Sequence, residues 1–282
     1  MIDLFPLDAS IGQLIFLGAF TFLLSIFAGM VGVALGAVRL PVMLILGFNP
    51  VIAAGTNLGV TILGGSAAAW PHWRDGRVVV RVVLVLGIPA VIGSLLGGLL
   101  ADDIEAWMLL ALIAGLSAVS SVMTFAQWWM ARRKSRQPVD AQKSQTTDVS
   151  KQGIPLNSRD RVLYGSIGLV IGIVGGASGM ILAVLRFPIL INVLRMDPRN
   201  AAGTNNSIGI LAGLFGFMGH AFNMNFDIGV LAVMGVTGMI GSFMGAKQTG
   251  RISAITMRLI IAILLGASTP LTVIRMLDEY PG

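Results

Sequence analysis

NPVIAAGTNLGVTILGG, from Asn49 to Gly65, returns as DPRNAAGTNNSIGILAG, from Asp197 to Gly213, with nine of seventeen residues identical at a constant offset of 148. The same offset carries Gly87, Ile92, Gly93, Ser94 and Gly97 onto Gly235, Ile240, Gly241, Ser242 and Gly245, so register is kept through the intervening loop. The chain reads as a duplicated unit, and function is expected where the two copies meet.

The setting of that duplication is apolar. Hydrophobic residues make up 55% of the chain and charged residues 11%, against about 25% charged in a soluble domain. Mean hydropathy is +0.86. Charges are confined to narrow bands that leave uncharged runs at 9–38, 40–73, 82–101, 106–131, 162–185, 200–226 and 228–246. A hydrocarbon core needs roughly 20 residues per helix. With a last candidate at 252–274, where Arg258 lies close enough to the start to reach the headgroups, eight spanning helices are expected. The ten-residue alternation of a membrane β-barrel is absent, and 36 glycines suit close helix packing. The fold expected is an all-helical membrane protein of two four-helix repeats.

The net charge is +6, and residues 132–161 alone hold eight basic and three acidic side chains. A basic segment between apolar spans follows the positive-inside rule and reads as a cytoplasmic linker, so no nucleic-acid partner is expected. The repeats are accordingly placed at 1–131 and 161–282, with the polar linker at 132–160. Cysteine is absent, which removes thiol nucleophiles and thiolate metal ligation. The acidic start, MIDLFPLDAS, lacks the positive region of a cleaved signal, so the first apolar stretch is expected to be retained as a helix.

Each repeat carries a glycine-rich helix, then Arg-x-Pro (Arg39-Leu-Pro41 and Arg186-Phe-Pro188), then the AAGTN helix. Proline removes a backbone donor and disfavours helix in the residue before it, so each first helix is expected to break there. The apolar pieces that follow, 42–48 and 189–194, are too short to span and suit re-entrant half-helices. The orientation of the repeats stays open. Four crossings per repeat set them parallel, whereas loop charges around Arg195, Arg199 and Lys247 prefer inversion, which requires an odd number of crossings.

Two arginines in matching places, flanked by apolar sequence, are costly in hydrocarbon unless they face a cavity, a partner or the headgroups. Arg39 and Arg186 therefore either snorkel to the interface or hold an oxyanion with the planar guanidinium fork. Thr56, Asn57, Thr204, Asn205 and Asn206 supply hydroxyl and amide groups that either bond between helices or donate to an anion near the helix N-termini after Pro50 and Pro198. Ser178 follows the second glycine run, and those glycines either pack against a neighbouring backbone or thin the wall of a substrate path. His72 and His220, also 148 apart, read as interfacial beside Trp70 and Trp73. No Walker motif and no H-E-x-x-H is present, so neither ATP-driven transport within the chain nor zinc hydrolysis is supported, and no cofactor or metal is expected.

The glycine-rich helix, the proline and the A-x-G-T-[NS] start of the next helix, all repeated around a cytoplasmic linker, resemble the sulfite exporter TauE/SafE family of bacterial membrane permeases. The resemblance covers about Gly29 to Gly115 and Gly172 to Gly266. It departs from the family at Gly32-Val-Ala-Leu-Gly36, where a denser glycine run is common; Gly175-Gly176-Ala-Ser178-Gly179 is closer. The resemblance implies a prokaryotic inner-membrane secondary carrier, not an enzyme, moving sulfite, sulfonates or related organic anions. The site expected is lined by Arg39, Thr56, Asn57, Ser178, Arg186, Thr204, Asn205 and Asn206. A coupling proton or other ion and a homo-oligomer stay open, as do two rival functions, an enzyme acting on lipid phosphates and an anion channel.

Overall fold

The computed structural model describes residues 9–31, 35–74, 76, 78–134, 157–248 and 254–281, and no strand occurs among them. Most of the expected linker, 135–156, lies outside the described residues, as do Arg77 and Arg251. Besides a short 3-10 turn at Ala101–Asp103, ten helical elements follow in order among the described residues. The first half has α1 (Ile11–Val31), α2 (Gly36–Ile45), α3 (Pro50–Arg74), α4 (Val80–Leu99) and α5 (Ala106–Lys134). The second has α6 (Ser158–Ser178), α7 (Ala183–Val193), α8 (Pro198–Phe222), α9 (Ile228–Ala246) and α10 (Ala254–Asp278). Among the described residues six of these, α1, α4, α5, α6, α9 and α10, are long and apolar enough to cross a membrane. The 25-residue α3 and α8 are equally long but diluted by Thr, Asn and Gly.

Local chemistry sets the helix ends. Asn49 Oδ1 accepts from Val51 N at 2.9 Å beside Pro50, the first residue of α3, an arrangement that uses proline where no donor is needed. Asn157 and Asp160 form a capping box on α6. Gly179 closes the same helix at φ 70°, where a Cβ would strike Ala54 of α3.

The expected break at Arg-x-Pro falls elsewhere. Both motifs sit inside the half-helices, which begin several residues earlier, at Gly36 and Ala183. Each proline stands at the sixth position of its half-helix, where it removes one backbone donor. At Pro188 the hydrogen bonding also switches to a π-helical turn over Ile189–Val193, which absorbs the missing donor.

Glycine seams fix the packing. A Cβ on Gly168, Gly172 or Gly176 of α6 would run into the carbonyl oxygens of Leu86, Ala90 and Ser94 on α4. On Gly241 and Gly245 of α9 it would meet those of Phe22 and Ile26 on α1. Both seams therefore run parallel, and each joins a helix of one half to a helix of the other. Gly172→Ala is expected to cost about 1–3 kcal/mol by prying α4 from α6; a melting curve in detergent indistinguishable from wild type would contradict that contact.

The remaining pairs settle relative direction. α3 meets α8 antiparallel, with Gly65 on Ile210, Gly213 on Ile62 and Gly59 on Phe217. α5 meets α10 antiparallel, with Ser121 Oγ donating to Ala262 O at 2.8 Å and Trp107 edge-on to Tyr280. α4 runs parallel to α8, through Gly87 on Ile208 and Gly219 on Leu95, and α9 runs parallel to α3, through Leu231 on Gly59 and Leu63 on Gly235. Hence α1, α3, α5 and α9 point one way and α4, α6, α8 and α10 the other. The first helices of the two halves are antiparallel because α2 returns the chain between them, as α7 does within the second half. The foot of α1 and the end of α2 share a level, where Gln13 Nε2 donates to Leu46 O at 2.9 Å.

The polarity is that of a protein in lipid. Ile11, Ile15, Leu23, Val122, Ile263 and Leu277 are exposed, whereas Thr21, Ser25, Ser117, Ser120 and Thr272 are buried along with a core of Leu17, Leu40, Met43, Leu109, Ile113 and Met234. Apolar surface outside and small hydroxyls between helices is what packing in a bilayer favours.

Candidate functional site

The two arginines form the same motif twice. Arg39 Nε donates to Asn57 Oδ1 at 3.2 Å, and Asn57 Nδ2 donates to Gly36 O at 3.0 Å. Arg186 Nε donates to Asn205 Oδ1 at 3.0 Å, and Asn205 Nδ2 donates to Ala183 O at 2.9 Å. Each unit ties the start of a half-helix to the second turn of the AAGTN helix. Arg39 is 5% exposed and Arg186 1%, so neither snorkels to the headgroups.

The copies differ in one atom's partner. Arg39 Nη2 donates to Thr61 Oγ1 at 2.5 Å. Arg186 Nη2 is buried and has no partner, and the position equivalent to Thr61 is Gly209, whose Cβ site lies 3.2 Å from that nitrogen. A small cavity opens beside Arg186. Its walls come from both halves: Leu58 of α3 and Ser94 of α4, with Gly172, Met180, Leu182 and Gly213 from the second half.

The arrangement holds positive charge in a low-dielectric place. An isolated buried ion is expensive unless an opposite charge or hydrogen bonds compensate it. Asn57 and Asn205 offer only neutral oxygens. Chemically, the site is suited to receive an anion.

The other expected residues take different places. Thr56 Oγ1 accepts from Asp227 N and Thr204 Oγ1 from Val79 N, each at 2.9 Å. Each threonine thus clamps the start of a helix from the opposite half, a role invisible without the inverted packing. Thr56→Val should leave Asp227 N unsatisfied at a cost of about 1–3 kcal/mol, read as a lower melting temperature; no loss would remove the clamp from the account. Thr56 and Asn57 also lie in the second turn of α3, beyond the first turn to which the helix-end dipole is confined. Ser178 is fully buried, its Oγ donating to Gly175 O at 3.4 Å. Asn206 Nδ2 is buried without a partner.

Not all of these residues converge. The register of α3 on α8 sets Asn205 opposite position 70, 13 residues beyond Asn57, which separates the two Arg–Asn units by roughly 20 Å along the helix axis. Arg39 and Arg186 therefore occupy two levels, one on either side of the α3–α8 crossing. Asn57 also ties the halves together at its own level, its Nδ2 donating to Gly179 O at 2.9 Å.

His220, expected at the interface, is fully buried with Nε2 2.9 Å from Gly176 O. The α8–α9 joint folds back over Gly55, whose Cβ site His220 closes, and that removes the imidazole from the surface. The side chain of His72 is outside the described residues. Sequence reasoning also missed Thr61 and Gly209, although their mismatch stands in the two aligned stretches.

The chain is 25% identical over 238 residues to a probable membrane transporter protein, YdhB, of Bacillus subtilis (strain 168), covering 84% of this chain and 91% of that protein. No solved structure matches it. The model of the sulfite exporter TauE/SafE family matches residues 17–270. With apolar helices, a buried arginine in each half and that match over most of its length, the chain is a multi-pass prokaryotic membrane protein that belongs to the sulfite exporter TauE/SafE family.

Proposed function

We propose that this protein is a secondary carrier for small anions, with sulfite, sulfonates and related organic anions as the substrate class that the family's description suggests. The observation that carries the reading is the pair of buried guanidinium groups, one in each half, hydrogen-bonded only to neutral oxygens. A bilayer protein that keeps uncompensated positive charge inside is organised to take up negative charge. In this reading Arg186, Asn205 and Asn206 bind on one level, and Arg39, Asn57 and Ser178 shape the other, with Thr56 and Thr204 holding the halves together.

The carrier is read as two inverted repeats, 1–131 and 161–282, joined by a cytoplasmic linker at 132–160. Eight elements, all but α2 and α7, span the bilayer, and the two half-helices supply the odd return. Loop charges support this topology. Arg81, Arg132, Arg133, Arg195 and Lys247 lie at helix ends on the linker's face, and Asp102, Asp103, Glu105 and Asp227 on the opposite one, as the positive-inside rule requires of a cytoplasmic linker face. Rocking of one helix group against the other around the cavity would expose the site alternately.

The test is flux of labelled sulfite, sulfonates and sulfate in liposomes containing the purified protein, with and without a pH gradient. Saturable uptake with counterflow is expected, and a response to the gradient would identify the proton as the coupling ion. Lipid turnover without anion flux would replace the carrier by the membrane enzyme, and flux without counterflow by a channel.

A further inference from the structure

We infer that this carrier, taken as read above, binds one anion per chain, at Arg186 and not at Arg39, and that Gly209 is the residue that keeps the place open. The two Arg–Asn units act as internal controls for each other. In both, Nε is consumed by the asparagine that anchors the half-helix. In the first unit Thr61 Oγ1 also takes Nη2, and the same hydroxyl donates to Asn57 O at 2.7 Å, so both Nε and Nη2 of the guanidinium are engaged by α3 of the same half. In the second unit glycine replaces threonine, and Nη2 is left buried and unpartnered on a side chain that lines the cavity. An unmade hydrogen bond from a charged group costs more than a neutral one, so a filled site is the lower-energy state.

The same surroundings select by charge. Beside Arg186 the cavity offers one hydroxyl, Ser94, and otherwise apolar walls such as Leu58, Met180, Leu182 and Ala212. One fixed positive charge neutralises one negative charge. A dianion would keep a second charge in a poorly polarisable place, whereas a monoanion with an apolar end matches both features once the cavity, which holds about one water in this state, widens to admit it. The class of ligand is therefore a small monoanion, an alkylsulfonate or hydrogensulfite, in preference to sulfate.

The test is equilibrium binding of labelled methanesulfonate and labelled sulfate to the purified full chain. Wild type is expected to bind one methanesulfonate per chain, with sulfate at least tenfold weaker. Gly209→Ser, which restores a hydroxyl beside Nη2, is expected to weaken binding at least tenfold. Because that serine also crowds Ile181 Cγ2, 2.9 Å from the Cβ site, the second variant is Thr61→Gly. Freeing Arg39 Nη2 there is expected to raise the stoichiometry to two, a gain that misfolding does not produce. Unaltered binding by Gly209→Ser, one site in Thr61→Gly, or sulfate bound as tightly as methanesulfonate would overturn the inference. A protein that still carries anions in liposomes while Gly209→Ser behaves as wild type loses this site but remains a carrier. One that neither binds nor moves any anion loses both.

Discussion

Arg186→Lys is expected to lower saturable sulfite flux at least a hundredfold while the protein still purifies as a folded species. Lysine keeps the charge but carries a single nitrogen. Arg186 uses Nε to hold Asn205 and leaves Nη2 free, two tasks that the planar fork performs at once and an ammonium does not. Losing a charge-assisted bond to a buried anion is worth about 3 kcal/mol or more, and every 1.4 kcal/mol is tenfold. The comparison that isolates the effect is Arg39→Lys. There Nε and Nη2 are both spent on Asn57 and Thr61, so its main loss is expected in melting temperature and only secondarily in flux. Initial counterflow rates and melting curves on both variants check the split, and equal flux from Arg186→Lys and wild type would remove the guanidinium from the transport step.

The largest stability loss is expected for Asn57→Leu. That one amide accepts from Arg39 and donates to Gly36 O in its own half and Gly179 O in the other. An apolar replacement orphans three buried groups at about 1–3 kcal/mol each, and the carbonyl of Gly179 is the contact that holds the break between α6 and α7 against α3. A loss of about 3–9 kcal/mol is expected, enough to abolish a marginally stable fold. Asn205→Leu orphans only Arg186 Nε and Ala183 O and should cost less. Thermal unfolding of the two variants side by side decides it, and a milder effect at position 57 than at 205 would mean that the cross-half bond is weak.

Much of this arrangement was readable before any coordinates. The duplicated AAGTN segments mark the two helices that cross at the centre, and the glycine pairs Gly93–Gly97 and Gly241–Gly245 mark seams, because close backbone approach leaves a spacing that survives in sequence. The asymmetric loop charges already favoured inversion. What hid the odd crossing was length: α2 and α7 are half as long as a membrane span, so hydropathy passes over the elements that reverse the chain. The pairing of Arg39 with Asn57 joins residues 18 apart on different helices, and no periodicity reports such a contact. The threonines were legible as polar residues in a membrane helix but not as clamps, since their partners are backbone groups of the opposite half. His220 shows the same limit, an interfacial pattern in sequence that the folded α8–α9 joint buries.

The most direct test is to determine the structure of the protein in selenite, a heavier analogue of sulfite whose selenium is located by anomalous scattering. One selenium peak per chain is expected, with an oxygen in hydrogen-bonding contact with Arg186 Nη2 and the cavity walls of Leu58 and Gly213 around it. A peak at Arg39 instead, or none between the halves in a protein that still exchanges selenite, would contradict it.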